Sequence, residues 1–407
     1  MPLRQSLRLP LTGAALLAAL PALPALAQDF ERGSRNTDLA PAFEGQFRAP
    51  LQDSDIVIDV ADVATGLEHP WGIAVLPDDG GYLVTERPGR LRHVTADGTL
   101  SDPIGGMPEV VAQRQGGLLD VTLAPDFADS RRVYITYSKP VGDGLSATAA
   151  AYGTLNEDMT EVTDLTDIFV QEPGATAPMH FGSRVLFDGE GHVFVTTGEH
   201  STREYREFAQ DTSNTFGVVV RLTPEGEVPQ DNPFVGDDSA VDSIWSYGHR
   251  NVQGAAMRDG VLWTIEHGPK GGDELNRPEA GKNYGWPVIS YGESYGGAPI
   301  GSGEAQRDGM EQPVYFWDPV IAPGGMVAYD GGMFSDWQGD FLIGSLSPGG
   351  IVRLDIDEDS LVGGEERLLM DLGRVRDVAL DADGAILAVT DDPNGRLVRI
   401  TTEGADG

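Results

Sequence analysis

Residues 183–199 read SRVLFDGEGHVFVTTGE, and this stretch decides the fold. Apolar runs at 185–187 and 193–195 flank the turn Asp188-Gly189-Glu190-Gly191, and the second run ends on Thr196, Thr197 and Gly198. β-Branched and aromatic residues on both sides of a glycine-containing acidic turn predict two antiparallel strands. Glycine accepts the positive φ that tight connections require. The pattern recurs as GIAVLPDDGGYLVTERPGRLRHV from Gly72, LLDVTLAPDFADSRRVYITYS from Leu118 and GAAMRDGVLWTIEHG from Gly254. It recurs again as MVAYDGGMFSDWQGDFLIGSL from Met326 and VRDVALDADGAILAVTDDPNGRLVRI from Val375. Six copies predict an all-β chain, a six-bladed β-propeller with antiparallel four-stranded blades. Stacking around an axis buries faces that a lone blade leaves wet, and closing the ring removes free strand edges. The run DIVIDVADVA from Asp55 is the expected closing partner of LVRITT from Leu397. The propeller domain is therefore placed at 53–403, preceded at 28–52 by a polar, irregular and loosely held extension.

Arg4 and Arg8 precede an apolar run at 11–26, and Ala25 and Ala27 sit just before Gln28. That pattern predicts a signal peptide over 1–27, cleaved after Ala27. Pro21 and Pro24 interrupt the run, which is also short for a bilayer span. A periplasmic or secreted protein without a membrane span is expected. The chain has no cysteine, so neither disulfides nor thiolate chemistry enter. A net charge of −36 argues against nucleic acid as a partner and suits a solvated acidic surface.

Propellers serve as enzymes and as binding platforms alike, so activity must be read from particular residues. His180, in MHFGSRVLF, precedes a strand, where a neutral imidazole can accept a proton from an alcohol. A histidine beside an aromatic can equally be structural. In SYGHRNVQG, Arg250 and Asn251 adjoin His249 and offer fixed donors to a carbonyl or carboxylate; an inter-blade ion pair is the plainer alternative. The run EHGPKGGDELNRPEAGKNYGWP from Glu266 is long for a strand connection. It supplies oxygen ligands for a hard cation at Asp273 and Glu274 and at the carbonyls of Gly268, Pro269 and Tyr284. Arg374 and Arg376 alternate in GRVRDVAL, so on a strand they face one way and call for an anion between them. Asp355, Asp357, Asp359 and Glu366 have the spacing of a helical calcium loop, but Ser360 stands where glycine is required and a strand-like IVRLDI precedes them. A solvated blade edge is the better reading.

In order along the chain, RQGGLLDV, HFGSR, GHRN, EHGPKGGDELN with NYGWP, and GRVRDV resemble the soluble pyrroloquinoline-quinone-dependent aldose sugar dehydrogenases, six-bladed propellers related to soluble glucose dehydrogenase. The resemblance runs from about Leu67 to Ile400. It implies oxidation of the anomeric hydroxyl of an aldose to a lactone, with hydride passing to bound pyrroloquinoline quinone and Ca²⁺ as second cofactor. By the same resemblance His180 is the base, and Arg250 and Asn251 hold the quinone and substrate oxygens. Gln115, Tyr295, Arg374 and Arg376 contact the cofactor. The carbonyls of Gly268 and Pro269 hold the cofactor's calcium, while Glu274 and the Tyr284 carbonyl hold a second, structural one. The family contains monomers and homodimers, and the electron acceptor is unassigned. Three positions depart from its pattern: Ser347 replaces a cofactor-binding Lys, Val320 a Thr, and Met179 an acid. A calcium-dependent propeller lactonase and a non-catalytic binding propeller are the rival readings.

Overall fold

The structure, a computed structural model, describes residues 31–402. The expected signal peptide lies outside the described residues. Six antiparallel sheets follow one another along the chain, five of four strands and one of three. Their first strands are Pro70–Val75, Leu118–Leu123, Gly182–Phe187, Val252–Arg258, Pro323–Ala328 and Val375–Leu380. These inner strands contact one another in sequence, and the last contacts the first, so the ring is closed. Each repeat read from the sequence begins in the inner strand of one blade and takes in its second strand, and the repeats from Gly72 and Val375 run on into the third. The strand Ile58–Leu67 pairs antiparallel with Gly395–Thr402 and completes the sixth blade from the opposite end of the chain, as the two runs predict.

Local chemistry explains the hairpins. Between Val252–Arg258 and Val261–Glu266 only Asp259 and Gly260 remain, with φ of 52° and 74°. Two successive positive φ values define the turn whose twist matches paired strands, and Asp-Gly is its preferred sequence. In the first blade the place of a fourth strand is held only by the isolated bridges Leu91↔Ile104 and Val94↔Leu100. Pro103 lies between them and cannot donate to a ladder. Blade packing is apolar: Trp263, Ile265 and Leu275 of the fourth blade meet Phe341, Ile343 and Val352 of the fifth.

A charged plug closes the axis. Arg184 lies 2.8 Å from Asp120 and 3.0 Å from Asp377, and its Nε donates to the Gln253 carbonyl at 2.6 Å. Those four residues come from four different inner strands. Gly325 is required opposite them, since a Cβ there would stand 1.6 Å from a carboxylate oxygen of Asp377.

The segment before the first strand corrects one expectation. It is irregular but not loose. Asp318 accepts the backbone N–H groups of Asn36 at 2.9 Å and Thr37 at 3.0 Å. The Phe47 ring stacks on Phe316 at 4.6 Å, and the Ala49 N–H donates to the Tyr315 hydroxyl at 3.0 Å. The arm thus straps the fourth and fifth blades. The calcium-like acidic run is spoken for as well: Asp355 accepts from Gln52 at 2.9 Å, and Glu366 pairs with Arg353 at 2.7 Å.

Candidate active site

Alternating strands send two sets of loops to the same face: those entering each inner strand and those leaving each second strand. Gln115, His180, Arg250, Asn251 and Arg374 belong to the first set. Glu199, Gly268, Pro269 and Asp391 belong to the second.

His180 sits in the left-handed region at φ 49° and is 6% exposed. Three contacts fix it. Its N–H donates to Gln115 Oε1 at 2.7 Å, its Nδ1 lies 3.0 Å from Glu199 Oε1, and Asn251 Oδ1 accepts the N–H of Gly182 at 3.0 Å. Nε2 makes no hydrogen bond to a described residue. Burial pushes the imidazole pKa down, and the Arg250 charge adds to this against the opposing pull of Glu199. Burial disfavours an ionised Glu199, yet neighbouring positive charge and the Ser201 N–H outweigh it and hold the carboxyl low. At neutral pH the pair is therefore a neutral imidazole against a carboxylate, with the Nδ1 proton directed at Glu199.

His249 shows what a structural histidine looks like in the same fold. Its Nδ1 meets Glu266 at 3.0 Å, its Nε2 meets Ser246 Oγ at 2.9 Å, and its ring stacks on Tyr284 at 4.7 Å. Both nitrogens are occupied. His180 keeps one free, and only a free ring nitrogen can take a proton from a ligand.

Arg250 donates its N–H to Glu266 Oε2 at 2.6 Å and Nη1 to the His267 carbonyl at 2.8 Å. Its guanidinium lies 5.1 Å from the Trp286 ring centroid. Nε is buried with no acceptor among the described residues. Arg376 and Arg374 do converge, and the anion between them is Asp391, at 2.8 Å and 3.1 Å. Arg376 is buried and also donates to Gln253 at 2.8 Å. The Arg374 side chain is 52% exposed. The requirement for an anion is thus met in part by the chain itself.

The oxygen-rich loop separates its two acids. Asp273 is consumed by backbone, accepting from Gly268 at 2.7 Å and from Ile321 and Ala322 at 2.8 and 2.7 Å. Burial pushes its pKa up to about 7. Glu274 has a single distant donor, Asn276 at 3.4 Å, and burial followed by the charge of Glu266 drives its pKa well above the carboxylate range. Gly268, Pro269, Glu274 and Tyr284 line one small cavity with about 10 Å³ of room for the centre of a water-sized sphere. Among the described residues no three His, Cys, Asp or Glu side chains gather as a metal cluster. Tyr295 is not brought in: it is 79% exposed at a loop tip. Val320 and Ser347 line a different cleft.

Glu199, Glu266, Trp286 and Asp391 are members of this face that residue-by-residue sequence reading passes over. A signal existed. Second strands run into LVTE, VTTGE, WTIE and AVTD, placing Glu86 and Glu266 at the last strand residue and Asp391 and Glu199 one and two residues beyond it in four blades.

A buried histidine–carboxylate pair with one free ring nitrogen thus stands beside Arg250 on the loop face of a six-bladed ring. Residues 67–399 match the glucose/sorbosone dehydrogenase family, and the chain belongs to it. It is 44% identical over 349 residues to the aldose sugar dehydrogenase YliI of Escherichia coli strain K12, covering 84% of this chain and 93% of that protein. Superposition on the apo-form crystal structure of the soluble E. coli aldose sugar dehydrogenase gives a TM-score of 0.82 at 43% identity, covering 85% of this chain and 99% of the other. The structure of the pyrroloquinoline-quinone-bound aldose sugar dehydrogenase from Streptomyces coelicolor superposes with a TM-score of 0.70 at 27% identity, over 87% of this chain and 100% of that one.

Proposed function

We propose that this sugar dehydrogenase oxidises the anomeric hydroxyl of aldoses to lactones, with pyrroloquinoline quinone and Ca²⁺ as cofactors, in the periplasm or outside the cell. The observation that carries the reading is the free Nε2 of His180 backed by buried Glu199. Removing a hydride and a proton from a hydroxylated carbon requires a base whose pKa lies near or below working pH, and a buried neutral imidazole supplies it. As His180 takes the proton it becomes an imidazolium, and Glu199, already ionised at 3.0 Å, stabilises the new charge without rearrangement.

The residues present fit the proposed cofactors. Glu274 is a buried carboxyl that burial and Glu266 keep from ionising, with one distant donor; a structural cation held with the Tyr284 carbonyl would favour its charged form, and the carbonyls of Gly268 and Pro269 would hold the cofactor's calcium. Arg250, Asn251, Gln115, Arg374 and Arg376 would hold the quinone and its carboxylates. When bound, the quinone supplies the hydride acceptor and the cation draws off its developing charge. Arg250, whose Nε faces Glu199 Oε1 at 4.0 Å, would orient an oxygen with its guanidinium, and its positive charge keeps His180 deprotonated.

Purified apoprotein mixed with pyrroloquinoline quinone, Ca²⁺, an aldose and a redox dye tests the reading. Dye reduction is expected only when quinone, cation and sugar are all present. No change in the quinone spectrum at saturating cofactor, or dye reduction independent of quinone, overturns it.

A further inference from the structure

The second blade carries a pocket on the same face as His180. It has a volume of about 230 Å³ and lies between three segments. These are the loop entering the strand Leu118–Leu123, the hairpin joining Arg132–Gly142 to Leu145–Leu155, and the loop entering Gly182–Phe187. Backbone hydrogen bonds tie the segments together, so the walls are preformed. The Val111 N–H donates to the Ser138 carbonyl at 2.9 Å, and Ser146 and Ala175 exchange two bonds of 2.9 and 2.8 Å. The Gln115 N–H donates to the Pro178 carbonyl at 3.2 Å, while Gln115 Oε1 accepts the His180 N–H at 2.7 Å. The two loops that wall the pocket therefore meet at His180. Pro178 lines the pocket, and two residues of chain span at most about 7 Å, so pocket and base are neighbours.

We propose that this pocket is a subsite for a second sugar unit, glycosidically joined to the one oxidised, so that the protein takes aldo-oligosaccharides as well as single aldoses. The inference rests on the aldose reading of the His180 site. Charge points to a neutral ligand. In a chain of net charge −36 none of the nine residues lining the pocket is charged, and an ionic group entering it would meet no counter-charge on the walls.

The lining has the two-sided chemistry of a pyranose. Val111, Pro140, Leu145 and Pro178 offer apolar surface to a ring's C–H faces. Gln113, Ser146 and Thr176 offer donors and acceptors to its hydroxyls, since an amide and a hydroxyl each do both. Ser146 is 3% exposed, yet its hydroxyl makes no hydrogen bond to a described residue, and neither does the Gln113 amide. A buried hydroxyl without a partner is uncommon, and a ligand hydroxyl in the pocket would satisfy it. Size points the same way. The pocket falls below the roughly 300–1,000 Å³ of sites that enclose a whole small molecule. It suits one ring of a ligand whose remainder lies next door, and next door is His180.

Glucose, maltose and cellobiose separate the subsite from the reaction. The parent should oxidise at least one of the disaccharides with a KM about 3–10-fold below that for glucose. Ser146→Ala and Gln113→Leu should each raise that disaccharide's KM by about 3–10-fold, with its kcat and both constants for glucose at parental values. The same order should appear without turnover. Methyl maltoside or methyl cellobioside, blocked at the anomeric carbon, should bind more tightly than methyl glucoside in saturation-transfer NMR titrations and lose that advantage in both variants. Disaccharides that bind and react no better than the monosaccharide overturn the proposal. So do variants that melt like the parent and either keep the disaccharide's advantage or impair glucose equally. Failure to oxidise any sugar strikes at the aldose reading instead, while the blocked glycosides still decide the subsite.

Discussion

The Nδ1 of His180 lies 3.0 Å from Glu199 Oε1, and the same contact recurs at other blades. His249 meets Glu266 at 3.0 Å, and His69 meets Asp391 at 2.9 Å. In the first two pairs both residues belong to one blade, whereas His69 precedes the first blade's inner strand and Asp391 follows the sixth blade's second strand. At His249 the second nitrogen is also held, by Ser246 at 2.9 Å, whereas Nε2 of His180 and of His69 makes no hydrogen bond to a described residue.

His180→Gln keeps a polar side chain of similar reach but cannot take a proton. Turnover should fall by roughly 10²–10⁴-fold, while quinone still binds, as read from its absorbance during reconstitution. Unchanged turnover would remove His180 from its role.

The pH profile follows from the same pair. Burial and Arg250 lower the His180 pKa from 6.5, so the active neutral form persists below that value and the rising limb of kcat against pH should lie under it. Glu199 works in the opposite direction, raising the pKa. In Glu199→Gln the limb should therefore move to lower pH, while kcat itself drops on the order of 10²-fold because the tautomer is no longer fixed. A limb that moves upward contradicts this assignment.

Glu274→Gln should remove the response of stability to calcium. Without cation the variant loses a buried carboxylate facing Glu266, and its melting temperature should equal or exceed the parent's. With Ca²⁺ the parent should gain by mass action and the variant should gain little. Equal calcium shifts in the two proteins would place the cation elsewhere.

Arg184→Met would leave Asp120 and Asp377 facing each other in the axis without their shared cation. Removing one member of a buried ionic group typically costs ~3–5 kcal/mol, measurable by urea unfolding at neutral pH. Burial already raises Asp120 to about 6 and raises Asp377 in the same direction. A carboxyl raised in the folded state contributes fully below its unfolded value and less as pH climbs through the folded one. Arg184 lowers both carboxyls, so without it they rise further, and the penalty should shrink as pH falls through those higher values toward 6.

The two arginines at Asp391 should separate. Arg376→Ala strips a buried carboxylate of its nearest partner and should destabilise the fold as well as weaken quinone binding. Arg374→Ala, at a half-exposed position, should weaken quinone binding while the urea midpoint stays near the parent's. Equal midpoints for both variants would contradict their different burial.

The ring was legible because its signal is repeated: six runs such as 183–199 carry the same alternation and turn chemistry, and each maps to one blade. His180, Arg250 and Arg374 could be singled out because they interrupt a strand pattern with charge. Glu199 and Asp391 could not, since an acid at a strand end reads as a solvated turn until the partner across the blade is known. The arm escaped for a related reason. Its anchors, Phe47 on Phe316 and Asn36 on Asp318, have no period and join residues far apart in sequence. Tyr295, inferred from resemblance alone, stays in solvent.

The closing seam has a temporal meaning. The Thr402 hydroxyl donates to the Val57 carbonyl, 345 residues away along the chain, so the ring stays an open arc until its final strand is available. Arg374 and Arg376 reach the face of His180 only through that late blade. An interrupted chain would therefore hold His180 and Glu199 yet lack Arg374 and Arg376, so under the proposed function the site is complete only once the last blade has closed.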